Sequence, residues 1–300
     1  MEIVELIELS KEKTFDELLK IVEEEITATP GYQISIWENF VAPVLYRARK
    51  HNHLEGNIDK KNILNQFKSE SEFWSPPKEY CISGRCQNEG EDLLYCSTSW
   101  ETTISEVKPS LGDYISVSIY HARRRPDNPN TFFGSRIVPI GVQYLSQIDR
   151  LKHMFIDYDF TGRDPEFYKL DTLLDDIFHA DILDTEEEQY IYNLSTAVTR
   201  CMMKNLLKGE VEQQMHGMIY SSIARNKTDY NFVLRPIHAR TTYSLNHVQS
   251  FQVIEKTDNT FKLQLLRNGD TIGEKKHPLD FFEMTWHNVH NGDIELISIK

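Results

Sequence analysis

Apolar positions along the chain follow two periods, and the change from one to the other marks the elements. In TFDELLKIVEEEI, residues Phe15, Leu18, Leu19, Val22 and Ile26 recur at helical spacing, and Thr14 with Glu17 makes a capping box. This predicts a surface helix with its acidic face in water, ended by Pro30-Gly31. The run ISIWENFVAPVLYRAR follows, in which Pro43 favours extended backbone and Arg47 is expected at or near a strand end. DLLYCS reads as a strand. Thr98 with Glu101 makes a second capping box, opening a helix that carries Glu106 between Ile104 and Val107 and stops at Pro109. DYISVSIYHA alternates, with Tyr114, Ser116, Ser118 and Tyr120 on one face and Ile115, Val117 and Ile119 on the other.

Beyond that strand, SRIVPIGVQY predicts another, and YKLDTLLDDIFHA a helix whose charges are expected to face water. TEEEQYIYNLSTAVTRCMMKNLLKG is a long helix capped by Thr185 and Glu188, with Ile191, Leu194, Val198, Cys201 and Met202 as its stripe and Gly209 as its stop. MHGMIYSSIARNKTDYNFVLRP reads as a strand, a Ser-rich turn and a second strand. FQVIEKTDNTFKLQLLRNGDTIGEKKH reads as two hairpins turning at Asp258-Asn259 and Asn268-Gly269. The polar stretch 50–83, broken by Pro76-Pro77, is expected to be an irregular connection with a short helix at most. Helices and short strands mix without a βαβ rhythm or an internal repeat, which predicts an α+β fold.

Charge and cysteine usage narrow the function classes. With 33 basic against 46 acidic side chains the net charge is −13, which argues against a nucleic-acid platform but leaves room for a local Arg-lined pocket. No apolar run approaches a membrane span, and the acidic start MEIVELIELSKEK lacks the basic region of a signal peptide, so a cytoplasmic chain without a membrane partner is expected. Cys81, Cys86, Cys96 and Cys201 have no C-x-x-C spacing and read as small buried thiols. His287 and His290 lack a carboxylate partner at ligand spacing, and no metal site is expected.

Phosphate-binding loops of the G-x-x-x-x-G-K-[ST] and G-x-G-x-x-G types are absent, as are the G-x-S-x-G elbow and H-E-x-x-H. What remains is a set of polar residues at the ends of apolar strands: Arg47, Arg85, Glu106 and Ser221-Ser222. An arginine there suits bidentate phosphate binding, and a semi-buried glutamate can stabilise positive charge; each could equally serve in an ion pair or a turn.

LYRAR, FWSPP, GRCQNEGEDLLYCSTSWETTISEVKPSLGDYISVS and GMIYSSIARNKTDYNFVL follow one another in an order that resembles the RES-domain family, named for its Arg, Glu and Ser. The resemblance runs over roughly residues 44–234 with insertions. It departs from the family after Gly84-Arg85, where the chain continues Cys86-Gln87-Asn88-Glu89, and at Ser221, where the family often has Pro.

The resemblance implies an ADP-ribosyltransferase-like mixed β core with surrounding helices, and an enzyme that breaks the nicotinamide–ribose bond of NAD. Such an NAD glycohydrolase or phosphorylase would act as a toxin that depletes NAD, held in check by a cognate antitoxin protein. Carried over by motif, the family Arg falls on Arg47, the Glu on Glu106 and the Ser on Ser222, with Ser221 the neighbouring alternative. Arg47, Arg85, Tyr95 and Ser222 would bind NAD, which is substrate and not cofactor, with inorganic phosphate as an alternative co-substrate to water. The expected organisation is an N-terminal helical extension over 1–40, the RES-like domain over 41–236 and a C-terminal β-rich extension over 237–300, the whole able to form a homo-oligomer. Two further readings stand beside it: an ADP-ribosyltransferase that modifies a macromolecule, and a non-catalytic interaction module.

Overall fold

The computed structural model describes residues 3–29, 36–51, 67, 69–76, 78–155, 165–180, 187–204, 206–208, 211–257, 260–272, 283–288 and 294–298. Helices α1 (Ile3–Glu12) and α2 (Phe15–Ala28) open the chain. At the start of α2 the Thr14 hydroxyl accepts from the Glu17 N–H while the Glu17 carboxylate accepts from the Thr14 N–H, the reciprocal box its sequence predicts. Strands β1 (Trp37–Phe40) and β2 (Val44–Lys50) follow, with short 3-10 turns at Glu70–Phe73 and Lys78–Tyr80. Next come β3 (Leu94–Ser97), α3 (Trp100–Glu106), β4 (Tyr114–Ala122), β5 (Ser135–Pro139) and the one-turn α4 (Val142–Leu145). Two longer helices, α5 (Pro165–His179) and α6 (Glu187–Met202), precede the small hairpin β6 (Leu206–Lys208) and β7 (Val211–Gln213). The chain continues through β8 (Gly217–Ser221), β9 (Tyr230–Leu234) and α7 (Pro236–Thr242) into four strands, β10 (Tyr243–Lys256), β11 (Thr260–Ile272), β12 (Glu283–Asn288) and β13 (Ile294–Ser298).

Eleven of the described strands make one mixed sheet in the order β1-β5-β8-β9-β3-β2-β4-β10-β11-β12, with β13 also on β11. β5 and β8 run parallel, and the other pairs are antiparallel. The fold is therefore α+β. Alternation sends Ile219, Phe232, Leu94, Leu45 and Tyr120 into one core, while Met218, Tyr220 and Val233 point the other way, against Leu174, Phe178, Leu194 and Val198 of α5 and α6. On that second face, α3 lays Ile104 on Ile115 and Val117 of β4 and Phe251 of β10. β10 pairs with β4 from Tyr243 to Gln252, so the C-terminal strands continue the central sheet across the expected boundary at 236.

The stripe Ile191, Leu194, Val198, Cys201 and Met202 of α6 is buried, and all four cysteines are buried and free. Thr185, Gly209, Asp258-Asn259 and His290 lie outside the described residues. Four expectations are corrected. Arg47 lies in the middle of β2 and not at a strand end. The N-cap of α3 is Ser99, one residue after Thr98, because the Ser99 hydroxyl is the group that accepts from the Thr102 N–H. Asn268-Gly269 does not turn: both residues sit inside β11, opposite Gln249 and Val248 of β10, where a long cross-strand ladder overrides the local turn signal. Finally, Asp171 and Asp175 of α5 are buried, not solvated. Asp171 accepts from the N–H groups of Val142 and Gln143 and so caps α4. Among the described residues, no helix is long and apolar enough to cross a membrane.

Candidate active site

The site is built where β2 and β3 part. These neighbours share one register pair, Tyr46 with Ser97, whereas β2 pairs β4 over seven residues. Beyond Tyr46 the free edge of β2 is taken over by α3: the Thr103 hydroxyl donates to the Tyr46 carbonyl (3.3 Å) and accepts from the Ala48 N–H (3.0 Å). At its other flank the Thr102 hydroxyl donates to the Asp229 carboxylate (2.6 Å), which ties α3 to the turn between β8 and β9. Ile104 anchors the helix from below with no exposed surface. Three successive residues of α3 therefore fix its position, and Glu106 ends it.

A carboxylate in the last turn of a helix faces the negative end of the backbone dipole, typically at a cost of about 0.3–1 kcal/mol. Here two donors offset that cost. The Ser222 hydroxyl donates to Oε1 of Glu106 at 2.5 Å, and the Asn231 side-chain amide donates to the same oxygen at 2.7 Å. Ser222 and Asn231 lie 116 and 125 residues away along the chain. Ser222 is fully buried and Asn231 nearly so, whereas Glu106 itself is exposed. No cation pairs with Glu106 among the described residues, and Oε2 takes no hydrogen bond there. The carboxylate is thus oriented from one side and open on the other. Ala48, Tyr95, Cys96, Thr103, Tyr220 and Asn231 line a cavity of ≈ 90 Å³ beside it.

The structure separates the two serines that the sequence leaves ambiguous. Ser222 reaches Glu106, while the Ser221 hydroxyl donates to Oδ1 of Asp175 (3.1 Å) and lies 3.0 Å from Nε2 of His179. Tyr95 lines the cavity, and its hydroxyl accepts from the Cys86 N–H (2.9 Å), which holds the ring upright. Burial pushes the phenols of Tyr95 and Tyr220 well above their ordinary range and the Cys86 thiol up to about 12, so this wall is neutral. The Arg85 guanidinium is engaged elsewhere: it donates to the carbonyls of Phe178 (2.7 Å) and Ala180 (3.2 Å) and closes the C-terminus of α5. Its charge is felt at Tyr220, but its described hydrogen bonds are structural.

Arg47 points to the opposite face of β2 from Tyr46 and Ala48, which pack with α3. It is half-buried and makes no hydrogen bond or ion pair among the described residues. Its charge acts on Cys96, which also lines the Glu106 cavity, so the guanidinium borders the parting of β2 and β3 from behind without touching Glu106. Arg49 and His51 follow on the same face. Arg49 donates to the Glu72 carbonyl (3.2 Å), and its pKa is lowered by burial and by Arg47. His51 meets the Ser116 hydroxyl at 2.9 Å, and burial, then Arg49 and Arg47, depress it to about 3.

A depressed histidine favours the neutral ring in the fold, so its contribution is present above the ordinary value near 6.5 and is lost as pH falls toward 3. Between those values His51 adds up to about 1.4 kcal/mol per pH unit to the slope of stability. Urea denaturation at pH 6.5, 5 and 4 is expected to show a steeper loss for the wild type than for His51→Gln. Parallel slopes would contradict a buried neutral ring.

Asn231, Thr102 and Asp229 were not singled out by sequence reasoning. Asn231 carried a signal: it is the one polar residue within the apolar strand YNFVL. Asp175 carried none, because an acid in an acidic helix looks solvated. Among the described residues no cluster of His, Cys, Asp and Glu is arranged to hold a metal ion. In comparisons with known proteins, no family model matches the chain and no curated protein matches it.

Proposed function

We propose that the protein is an NAD-consuming enzyme of the RES type that cleaves the nicotinamide–ribose bond. The observation that carries the reading is the convergence of Ser222 and Asn231 on one oxygen of an exposed Glu106 that pairs with no cation among the described residues. Loss of nicotinamide builds positive charge on the ribose, as in glycoside hydrolysis. Glu106 stabilises that charge through Oε2, and because Oε1 is already fixed, little reorganisation accompanies the reaction. Tyr95 and Tyr220 supply the aromatic wall beside the sugar. Arg47, half-buried and without an ion pair among the described residues, is the cation assigned to the pyrophosphate. The pyrophosphate would have to reach it through the parting of β2 and β3, because Arg47 emerges on the far face of β2. Arg85 holds the wall in place through α5. Water or inorganic phosphate takes the ribose at C1, and a protein side chain in that role would make the enzyme an ADP-ribosyltransferase.

The test is direct. Purified protein with NAD, with and without phosphate, is expected to release nicotinamide, and the mass of the co-product identifies the acceptor. Intact NAD after hours at micromolar protein sinks the proposal.

A further inference from the structure

Thr102 and Glu106 stand about one turn apart on α3 and share a face of it, and both reach the same hairpin. Glu106 meets Ser222 and Asn231, while Thr102 meets Asp229. Ser222 and Asp229 face each other one step beyond the register pair Ser221 and Tyr230 of β8 and β9, and the Ser222 N–H donates to the Asp229 carbonyl at 2.8 Å. Asp229 is therefore bonded to both halves of the Glu106 contact. Its backbone carbonyl holds the residue whose hydroxyl donates to Glu106, and its carboxylate, 2.6 Å from the Thr102 hydroxyl, holds the helix on which Glu106 stands.

The Asp229 carboxylate is itself fixed. Oδ1 accepts from the Tyr230 N–H (2.9 Å), Oδ2 accepts from Thr102, and a guanidinium nitrogen of Arg150 lies 3.7 Å from Oδ2. Asp229 and Thr102 are both buried, so a charge-assisted hydrogen bond forms where water does not compete with it. Arg150 works from the surface: its side chain is 54% exposed and also donates to the Thr98 carbonyl (3.3 Å), just ahead of the N-cap of α3. In the loop between Ser222 and Asp229, Asn226 and Lys227 take φ 47° and 60°, a left-handed backbone that residues with side chains keep only where their surroundings impose it. A loop so constrained leaves Ser222 little freedom to follow Glu106 if the helix shifts.

The other anchors of α3 point elsewhere. Thr103 bonds it to β2, and Ile104 packs on β4 and β10. The placing of the helix against the hairpin thus falls to Thr102 and Asp229, together with the Glu106 contacts themselves.

We propose that Asp229, acting through Thr102, is a positioning residue that sets Glu106 against Ser222 and Asn231; its effect on turnover rests on the reading of Glu106 as the catalytic carboxylate. Two measurements keep the two claims apart. In proton–nitrogen correlation spectra of the full chain, the side-chain amide of Asn231, assigned with Asn231→Ala, is expected to shift in Thr102→Val and to keep its place in Thr102→Ser, which retains the hydroxyl. An unmoved amide in Thr102→Val overturns the inference whether or not the protein consumes NAD. In nicotinamide release, Thr102→Val is expected to lower kcat at least tenfold with KM within twofold, and Thr102→Ser to recover it to within threefold of wild type. Combined with Ser222→Ala, Thr102→Val adds threefold or less, because both act on one contact. Full kcat in Thr102→Val, or an undiminished tenfold loss in the double variant, overturns the inference. A wild-type protein that releases no nicotinamide removes the proposed function and leaves positioning to the amide shift. Should Thr102→Val fail to fold, Thr102→Ala, which leaves room for water beside Asp229, is read against the same outcomes.

Discussion

Replacing Glu106 by Gln is expected to lower NAD turnover by at least about a hundredfold, the scale of losing one preorganised electrostatic group, while the melting temperature stays within a few degrees of wild type. The amide oxygen of Gln can still accept from Ser222 and Asn231, so the hydrogen bonds seen at Oε1 are retained and only the negative charge is removed. Ser222→Ala and Asn231→Ala ask a different question. Each leaves the charge but frees the carboxylate to rotate, so a fall in turnover with little change in KM is expected. Full activity in Glu106→Gln, measured as nicotinamide released, would exclude this carboxylate from the chemistry.

The largest effect on stability is expected at Asp175, which has no exposed surface. Its carboxylate receives the Lys227 ammonium at 2.5 Å and the Ser221 hydroxyl at 3.1 Å, and lies 3.2 Å from Nδ1 of His179. The ring of Tyr144 covers the same ammonium at 4.0 Å, and Gly141 packs so closely that a Cβ there would lie 2.4 Å from the Asp175 oxygen. Asp175→Asn preserves shape but leaves the Lys227 ammonium facing a neutral group, and breaking a buried pair from one side costs about 3–5 kcal/mol. Urea denaturation is expected to show a loss near the lower end, because Lys227 keeps 29% of its side chain exposed. A loss under about 1 kcal/mol would mean that the pair contributes little. Activity should fall as well, since Lys227 bonds the Ser222 carbonyl through its own N–H (2.8 Å) and holds the turn that presents Ser222 to Glu106.

The buried acids explain why part of the molecule is legible in sequence and part is not. The stripe of α6 is a local period and is buried where that period places it, whereas β4 alternates in sequence but is buried on both faces, because Ser116, Ser118 and Tyr120 are covered as well as Ile115, Val117 and Ile119. The box at Thr14 and Glu17 is equally local, and it forms. Asn268-Gly269 has an equally clear local signal and does not turn, because nine residues of β10 pair across it. Asp175 reads as one more surface acid in an acidic helix until the turn carrying Lys227, 52 residues later, folds over it.

By itself the sequence determined the α+β class, the helices α2, α3, α5 and α6, the buried character of the cysteines and Glu106 as the acid at the end of a short helix, but it ran the helix of α6 on into β6 and the strand of β5 on into α4. Periodicity and capping act within a few residues, so they can be read from one stretch of chain. Only the tertiary structure put Ser222 on Glu106 and Ser221 on Asp175, added Asn231 to the carboxylate, turned Arg85 toward the end of α5 and set Arg47 on the far face of β2. Those outcomes depend on which strands lie side by side and on which face each side chain emerges. Both are fixed by contacts far apart along the chain, 71 residues for Arg47 with Ser118, 93 for Arg85 with Phe178 and 125 for Asn231 with Glu106, and a local pattern holds no record of them.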